Sequence, residues 1–476
     1  MCLFAFRYHS WLMGVTKIMD KIAKEDKGDF SQGSIPGAIL RLALPMTFAQ
    51  LIKITYSIVD RIYLGRLPGA EHLALTGVGL TFPILQIVMS VAALCGTGGG
   101  PLFAIARGKG DDKEAERIMN NAFSLLILLG VILTIVIIVF RKPLLYLFGA
   151  SDETYPYASD YLSFYSLGTI FDMISLGMNP FINAQGFSRI GMSTIAIGAV
   201  ANMTLDPIFI FALGMGVRGA GLATVVAQFL SALWVMRFLT GKKASLRLKF
   251  SSIRLKASRV RRMLSLGLAG FIMNLTSSLS LILSNVMLQK FGGDLYVGAM
   301  AIISSLREVV FMPVSGIGNG LTPVIGYNYG ASLLSRVRHA IRFSTIVTIA
   351  YTAVVWAILM LLPGALIRIF SDEPALIEVG IPALRIYNAL FIFMSLQMSA
   401  QSVFVGLGKS RHAIFFSLLR KVFIAAPLSV ILPFIGFGSN GVFIAETVSH
   451  LFGGVACMLT MYIVVYRRSG TGELSR

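Results

Sequence analysis

The sequence predicts an all-α integral membrane protein whose twelve transmembrane helices form two pseudo-symmetric six-helix bundles. Of its 476 residues, 56% are hydrophobic and only 13% are charged, twelve apolar runs follow one another, and the chain matches itself at a shift of 222 residues. Soluble globular proteins carry about 25% charged residues, and disordered chains combine high charge with low hydrophobicity. The composition therefore excludes a soluble enzyme and a disordered protein.

The apolar runs are each long enough for a transmembrane helix, which needs about 20 residues. The strands of a membrane β-barrel alternate over about 10 residues and would not produce such runs. The second and eighth runs contain Pro83 and Pro313 and are long for one span, so we expect tilt or a kink in both. The predicted spans are 38–64, 74–104, 118–140, 159–183, 190–213, 219–239, 263–289, 297–325, 340–362, 382–406, 412–434 and 440–466.

The distribution of Lys and Arg predicts the orientation of the spans. Six of these residues lie in the loops of one side and 28 on the other side, counting both termini, and the connection 237–262 alone holds ten and no acid. Because cytoplasmic loops carry the excess of basic residues, both termini and this connection are predicted to be cytoplasmic. The net charge of +19 is then explained by membrane anchoring and predicts no nucleic-acid partner.

An internal repeat divides the chain into two halves. The residues that recur after 222 positions include the pairs Gly96 and Gly318, Gly98 and Gly320, Pro101 and Pro323, Gly108 and Gly330, Tyr165 and Tyr387, Gly186 and Gly408, and Gly214 and Gly436. We therefore predict a cytoplasmic N-terminal segment at 1–35, six-helix lobes at 36–240 and 258–466, a basic cytoplasmic linker at 241–257 and a cytoplasmic tail at 467–476.

Two six-span halves that both begin in the cytoplasm have the same orientation in the membrane. Parallel repeats of this kind belong to secondary transporters, whose substrate sites lie where the repeats meet, and rocking of one half against the other opens the site to each side in turn. The sequence contains no G-x-x-x-x-G-K-[ST] phosphate loop, so ATP is not predicted to be the direct energy source. Neither a catalytic site nor a cofactor is predicted.

Asp206 in the fifth span is the first candidate for ion coupling. An ionisable group at membrane depth costs at least ~2.5–3.5 kcal/mol on insertion scales and marks a pathway or a proton relay. Asn202 lies four residues earlier on the same helical face, and Pro207 frees a backbone carbonyl nearby. These oxygen ligands suit a small cation, and Asp206 could instead take a proton; the alternative is a kink whose polar patch faces a neighbouring helix.

Asp60 in the first span, with Tyr56 one turn before it, is the second candidate. Two carboxylates that meet in a poorly hydrated cavity cannot both ionise cheaply, so such a pair would share a proton or bind a cation. The alternative is that Asp60 pairs with Lys53, or with the outer membrane interface through Arg61.

Several segments, which together cover about residues 36–466, resemble the multidrug and toxic compound extrusion (MATE) family. The loop after the second span reads ARGKGDDKEAER, which is not the basic Gly-rich signature expected of a major facilitator. The segments similar to the family are GTGGGPLFAIARGKGD, NAQGFSRIG, ANMTLDPIFIF and GVRGAGLAT, and those similar to its MepA-type bacterial branch are NGLTPVIGYNYGA and LRKVFIAAPLSVILPFIGFGSNGVFIAE.

This resemblance implies a V-shaped transporter in the bacterial cell membrane. It implies export of amphipathic, often cationic drugs or dyes in exchange for Na⁺ or H⁺ by alternating access. The expected partners are these small molecules and membrane lipids, without a cofactor or a soluble protein partner.

The resemblance also implies a coupling site in the first half and a substrate cavity. Proteins of this type have an acid in the first span, an Asn in the fourth, an Asn and an Asp four apart in the fifth and a Thr in the sixth. The matching coupling residues are Asp60, Asn179, Asn202, Asp206 and Thr224, with Asn183 as the alternative in the fourth span and Na⁺ expected at Asp60, Asn202 and Asp206. The substrate-cavity candidates are Tyr56, Tyr165, Asp172, Asn183, Glu308, Arg385 and Glu446.

The second half departs from the pattern of family members that carry a Glu in the seventh span and an Asp in the tenth. Here the span 263–289 has no acid, and the tenth span has Arg385 and Asn388, so we expect no cation site there. Mutual pairing is the favoured interpretation of the charges in this half, namely Glu308, Arg385, Arg420 and Glu446. The alternative is that Glu308 or Glu446 attracts cationic compounds.

A second possible function within the same superfamily is a flippase for lipid-linked oligosaccharides. The pyrophosphate head of such a lipid needs a strongly cationic cavity, so several basic side chains would have to point inward together. The residues required are Arg307, Arg385, Arg420 and Lys421. The acids of the first half argue against this function.

Overall fold

The computed structural model describes residues 29–67, 71–249 and 255–470, and these residues form helices and no strand. Most of the predicted segment 1–35 and of the predicted tail 467–476 lies outside the described residues. The helices of the first half are α1 Ile35–Leu64, α2 Glu71–Gly108, α3 Asp112–Val139, the short α4 Arg141–Leu147, α5 Tyr155–Ala184, α6 Ser188–Pro207 and α7 Gly216–Thr240.

The second half begins with the longest helix of the chain. The helices are α8 Ala257–Gly330, α9 Leu334–Leu361, the short α10 Pro363–Arg368, α11 Pro374–Asn388, α12 Phe391–Gly406, α13 Ser410–Leu418, α14 Ala426–Leu432, α15 Gly438–Met461 and α16 Arg468–Gly470. Gly293 has φ 68° and ψ −165°, so the path of α8 breaks between the predicted spans 263–289 and 297–325. Single π-helical stretches continue four of the helices, at Ile208–Ala212, Leu419–Ala425, Pro433–Phe437 and Tyr462–Arg467.

The all-helical membrane architecture predicted from the sequence is confirmed. Among the described residues, eight helical stretches are long and apolar enough to cross a membrane, or nine if the bent pair α11 and α12 forms one span. Two of the eight, Ala257–Gly330 and Ser410–Arg467, contain 74 and 58 residues, far more than the roughly 20 that one span needs. The count of twelve spans stays a prediction.

The internal repeat recurs in the backbone. Ser332 is the one residue other than Gly that has a positive φ among the described residues, and it lies 222 positions after Gly110, which also has a positive φ. The left-handed conformation is cheap only for Gly, so its recurrence marks equivalent turns. The pairs are Gly110 (74°) and Ser332 (60°), Gly186 (91°) and Gly408 (72°), Gly214 (65°) and Gly436 (109°), and Gly216 (56°) and Gly438 (51°).

Glycines bring the two halves into backbone contact along α2 and α8. A Cβ atom on Gly98 would lie 2.0 Å from the Met263 carbonyl oxygen, and one on Gly267 would lie 1.9 Å from the Leu94 carbonyl oxygen. Any side chain here would overlap with main-chain atoms of the other half. The close contact therefore depends on the absence of a side chain at these positions.

The repeat-related pair Gly108 and Gly330 makes the same kind of contact at the end of both helices. A Cβ atom on Gly108 would lie 1.9 Å from the Tyr327 carbonyl oxygen, and one on Gly330 would lie 2.1 Å from the Ile105 carbonyl oxygen. Each repeat thus contributes the equivalent glycine to the contact between the halves. The junction of the halves is itself pseudo-symmetric.

An ion pair connects the first turn of α8 with the first turn of α3. Arg259 Nε donates to Glu114 Oε1 at 2.8 Å, and the Arg259 terminal nitrogen donates to Glu114 Oε2 at 2.6 Å. Both side chains are partly buried, at 18% and 28% exposure. This two-pronged geometry is the stronger kind of charge-assisted hydrogen bonding.

We expect Glu114→Gln and Arg259→Gln each to lower the free energy of unfolding by about 1–2 kcal/mol, the usual scale of hydrogen bonds to charged groups. The double variant should lose little more than either single variant, because both remove one interaction. Thermal unfolding in detergent checks this. Removing the exposed Arg218–Asp160 pair (2.9 Å) is the control, expected to cost less than about 1 kcal/mol. Additive losses in the double variant would contradict the coupling.

Candidate functional site

Asp206, Asn202 and Thr224 form a polar cluster between α6 and α7. Asn202 Nδ2 donates to Asp206 Oδ1 at 3.2 Å and lies 3.4 Å from Thr224 Oγ1. The Asp206 side chain is fully buried and Asn202 is 5% exposed. α6 ends at Pro207 and continues as a π-helical stretch, a local irregularity that is frequent at functional sites.

Asp60 on α1 faces this cluster. Its charge acts on the Asp206 carboxylate, which places the two acids within electrostatic range. The side chains named as alternative partners have other contacts: Lys53 Nζ lies 3.8 Å from Met89 Sδ, and the Arg61 guanidinium lies over the Phe82 ring at 4.9 Å. Arg61 also acts on the Asp60 carboxylate as a neighbouring charge, so the pairing of the two acids stays a prediction.

One oxygen of each acid lacks a partner in the described part of the chain. Asp60 Oδ1 and Asp206 Oδ2 are buried and accept no hydrogen bond there. Burying a polar atom without a hydrogen bond is costly, so a proton or a small cation would complete this site. Carboxylate, amide and hydroxyl oxygens are hard ligands, and the residues present therefore fit Na⁺ as well as H⁺.

Aromatic side chains line the region next to the acids. Tyr165 OH donates to Asp172 Oδ2 at 3.1 Å, and the Tyr165 ring stacks on the Tyr161 ring with centroids 6.2 Å apart. Tyr56 lies within electrostatic range of Asp60 and Asp172. The structure thus brings the predicted residues Tyr56, Tyr165 and Asp172 together.

Tyr161 also lies beside these acids, a placement that was not predicted from the sequence. It lies next to Thr224 and in the field of Asp60 and Asp206. The sequence contains a signal for this placement, because Tyr161 precedes Tyr165 by four residues and residues at this spacing share a helical face.

The two Asn residues of α5 form a separate cluster. Asn179 Nδ2 donates to the Gly191 carbonyl oxygen at 3.0 Å, and Asn183 Nδ2 donates to Asn179 Oδ1 at 3.2 Å. Asn183 Oδ1 is buried and without a partner among the described residues. These hydrogen bonds tie α5 to α6 and do not connect Asn179 to Asp206, so the part of Asn179 in coupling stays a prediction.

In the second half, Glu446 lies at the centre of a cationic cluster. Lys421 Nζ lies 2.5 Å, His450 Nε2 3.4 Å, Arg420 3.5 Å and Arg307 4.0 Å from Glu446 Oε1. The pairing of Arg420 with Glu446 was anticipated, whereas Arg307, Lys421 and His450 converge from separate helices. A carboxylate compensated in this way offers little attraction to a cationic compound.

Glu308 and Arg385 are exposed and lie outside this cluster. Their mutual pairing with Arg420 and Glu446, expected from the balance of charge, is not among the ion pairs of the described residues. Neighbouring positions on one helix point in different directions, so Arg307 can face inward while Glu308 faces outward.

Comparisons with known proteins agree with this architecture. The sequence model of the MatE family matches residues 45–208 and 270–431, once in each half. The multidrug export protein MepA of Staphylococcus haemolyticus is 25% identical over 445 residues, covering 92% of this chain and 95% of that protein. MepA of Staphylococcus aureus strain N315 is 22% identical, with 91% and 95% covered.

Two solved structures share the fold over nearly the whole chain. A MATE protein in a bent conformation superimposes with a TM-score of 0.88 at 22% identity, covering 94% of this chain and all of that one. An outward-facing multidrug resistance transporter of the same family superimposes with a TM-score of 0.85 at 22% identity, with 95% and 99% covered.

Proposed function

Because the chain belongs to the MatE family, in its MepA-type branch, we propose that it is a secondary multidrug exporter of the bacterial cell membrane. It moves amphipathic, often cationic compounds outward in exchange for Na⁺ or H⁺. The relatives named as multidrug export proteins support the class of substrate. The observation that carries the exchange is the facing pair Asp60 and Asp206, each with a buried, unpartnered carboxylate oxygen.

In this proposal the protein alternates between two conformations, and the coupling ion and the exported compound compete for binding to it. Na⁺ would be held by Asp60, Asn202 and Asp206, or a proton would be shared by the two carboxylates. Either ion removes negative charge from the first half and so weakens its attraction for a cationic compound. Rocking of the halves about their glycine junction then exposes the site to each side in turn, with both termini in the cytoplasm.

Efflux of ethidium from liposomes that contain the purified protein tests this proposal. We expect transport when an inward Na⁺ gradient or an inward proton gradient is imposed in separate runs, and the gradient that drives it identifies the ion. Ethidium movement that is the same with and without either gradient, from protein shown to be folded, would overturn the exchange mechanism.

The flippase function is not favoured. Of the four basic residues it requires, Arg307, Arg420 and Lys421 converge, but Glu446 among them offsets part of their charge, and Arg385 lies outside this cluster. The acidic cluster of the first half is also unsuited to a pyrophosphate head.

A further inference from the structure

The second half contains a cavity at the place equivalent to the region around Asp172 in the first half. Its volume is about 220 Å³, and Met394, Gln397 and Gln401 on its wall lie 222 positions after Asp172, Ser175 and Asn179. Arg307 and Arg420 also line it. The two halves thus present opposite charge at equivalent places.

The contacts of the repeat-related tyrosines show the same reversal. In the first half Tyr165 OH donates to the carboxylate of Asp172 at 3.1 Å. In the second half Tyr387 OH accepts from the guanidinium of Arg307 at 2.7 Å. An acid is therefore replaced by a base beside the same aromatic position.

Basic side chains outnumber the carboxylates within ion-pair distance at this cavity. Arg307, Arg420 and Lys421 surround one carboxylate, that of Glu446. Glu308 acts on Arg307 as well, but from an exposed position, and Arg keeps its charge in proteins. An uncompensated buried charge is costly unless a counter-charge is supplied.

Arg420, which lines the cavity, has a donor without a partner in the described part of the chain. Its side chain is only 7% exposed, and its Nε is buried without a hydrogen-bond partner among the described residues. Arg307 is 29% exposed and is therefore accessible from the cavity. Two guanidinium groups at one cavity form the donor arrangement that suits a carboxylate.

The cavity lies close to the contact between the two halves. Asn274 on its wall follows Gly267 and Gly270 at seven and four residues, so the three positions lie on one face of α8. Gly267 contacts Leu94 of α2, and a Cβ atom on Gly270 would lie 3.4 Å from Thr97 Oγ1. Asn274 itself is exposed and lies on the face of α8 that contacts the first half.

We propose that Arg307 and Arg420 form a subsite for the carboxylate of an amphipathic compound, in the half opposite to the acidic site. This inference rests on the proposed export function and extends its substrates from cations to zwitterions and organic anions. A zwitterion would place its cationic group against the acids of the first half and its carboxylate in this cavity. Met273, Met394 and Met398 on the same wall supply adaptable apolar contacts for the rest of the molecule.

The test compares a rhodamine free acid with its methyl ester, two dyes that differ by one negative charge. Their affinities for the purified protein are measured by fluorescence polarisation. We expect Arg420→Gln and Arg307→Gln each to weaken binding of the free acid by about tenfold, as expected for the loss of a charge-assisted hydrogen bond, and to change binding of the ester far less. Arg368→Gln, at an exposed guanidinium, is the matched control and should change neither.

Arg307→Gln keeps the test valid if the Arg420→Gln protein does not fold, because Arg307 is more exposed than Arg420 and its substitution disturbs the packing less. Equal losses for the two dyes, unchanged binding of the free acid in both variants, or no binding of the free acid to the wild-type protein would overturn the subsite. Failure of ethidium efflux would count against the exporter and would leave the comparison of the two dyes intact.

Discussion

Asp206→Asn is expected to abolish ion-driven export while leaving a folded protein. The substitution keeps the shape and the hydrogen bond with Asn202 (3.2 Å), but removes the charge that a cation or proton must neutralise. Without this change of charge, the ion has no differential affinity for the two states and cannot shift their equilibrium. Ethidium efflux under a Na⁺ or proton gradient should fall to the rate of protein-free liposomes.

Asp160→Asn is the matched control, because Asp160 carries the same charge but forms an exposed ion pair with Arg218. Its efflux should equal that of the wild type. Asp60→Asn should reproduce the loss, because in the proposed mechanism the two acids act as one site. Full gradient-driven export by a folded Asp206→Asn protein would remove Asp206 from the mechanism.

Gly98→Ala is expected to disrupt the junction of the two halves. The new Cβ atom would lie 2.0 Å from the Met263 carbonyl oxygen and 2.8 Å from the Gly267 nitrogen, both of which are main-chain atoms that no rotamer change can move. Overpacking a fitted contact costs typically about 1–3 kcal/mol, so the halves must separate locally or the protein must lose stability. We expect a lower melting temperature together with impaired ethidium efflux.

The control for this change lies on the same helix. A Cβ atom on Gly79 of α2 would meet no atom within 4 Å, so Gly79→Ala introduces the same methyl group without a clash. It should retain wild-type export and a melting temperature at or above that of the wild type, because Ala favours the helix. Indistinguishable behaviour of the two variants would show that the glycine contact has no importance for stability or transport.

The sequence predicted the elements that depend on local patterns. Apolar runs predicted the helical membrane fold, and the spacing of four residues placed Asn202 and Asp206 on one face, where they hydrogen-bond. The repeat predicted two equivalent halves, and the paired positive φ angles at Gly186 and Gly408 agree with this prediction.

Contacts between residues on different helices could not be predicted from such local patterns. The approach of Asp60 to Asp206 followed from a family resemblance and not from spacing, because these residues lie on different helices. Glu446 acquires Arg307 and Lys421 as partners through the packing of three separate helical segments. Which of several charges in a helix turns inward is decided by this packing.

The most direct test of coupling is the affinity of the purified protein for ethidium at varied Na⁺ concentration and pH. Linkage requires that an ion which ethidium displaces must in turn weaken ethidium binding. We predict that ethidium affinity falls as Na⁺ rises or as pH falls, and that Asp206→Asn removes this dependence. An ethidium affinity of the wild-type protein that is independent of both ions would contradict the exchange mechanism.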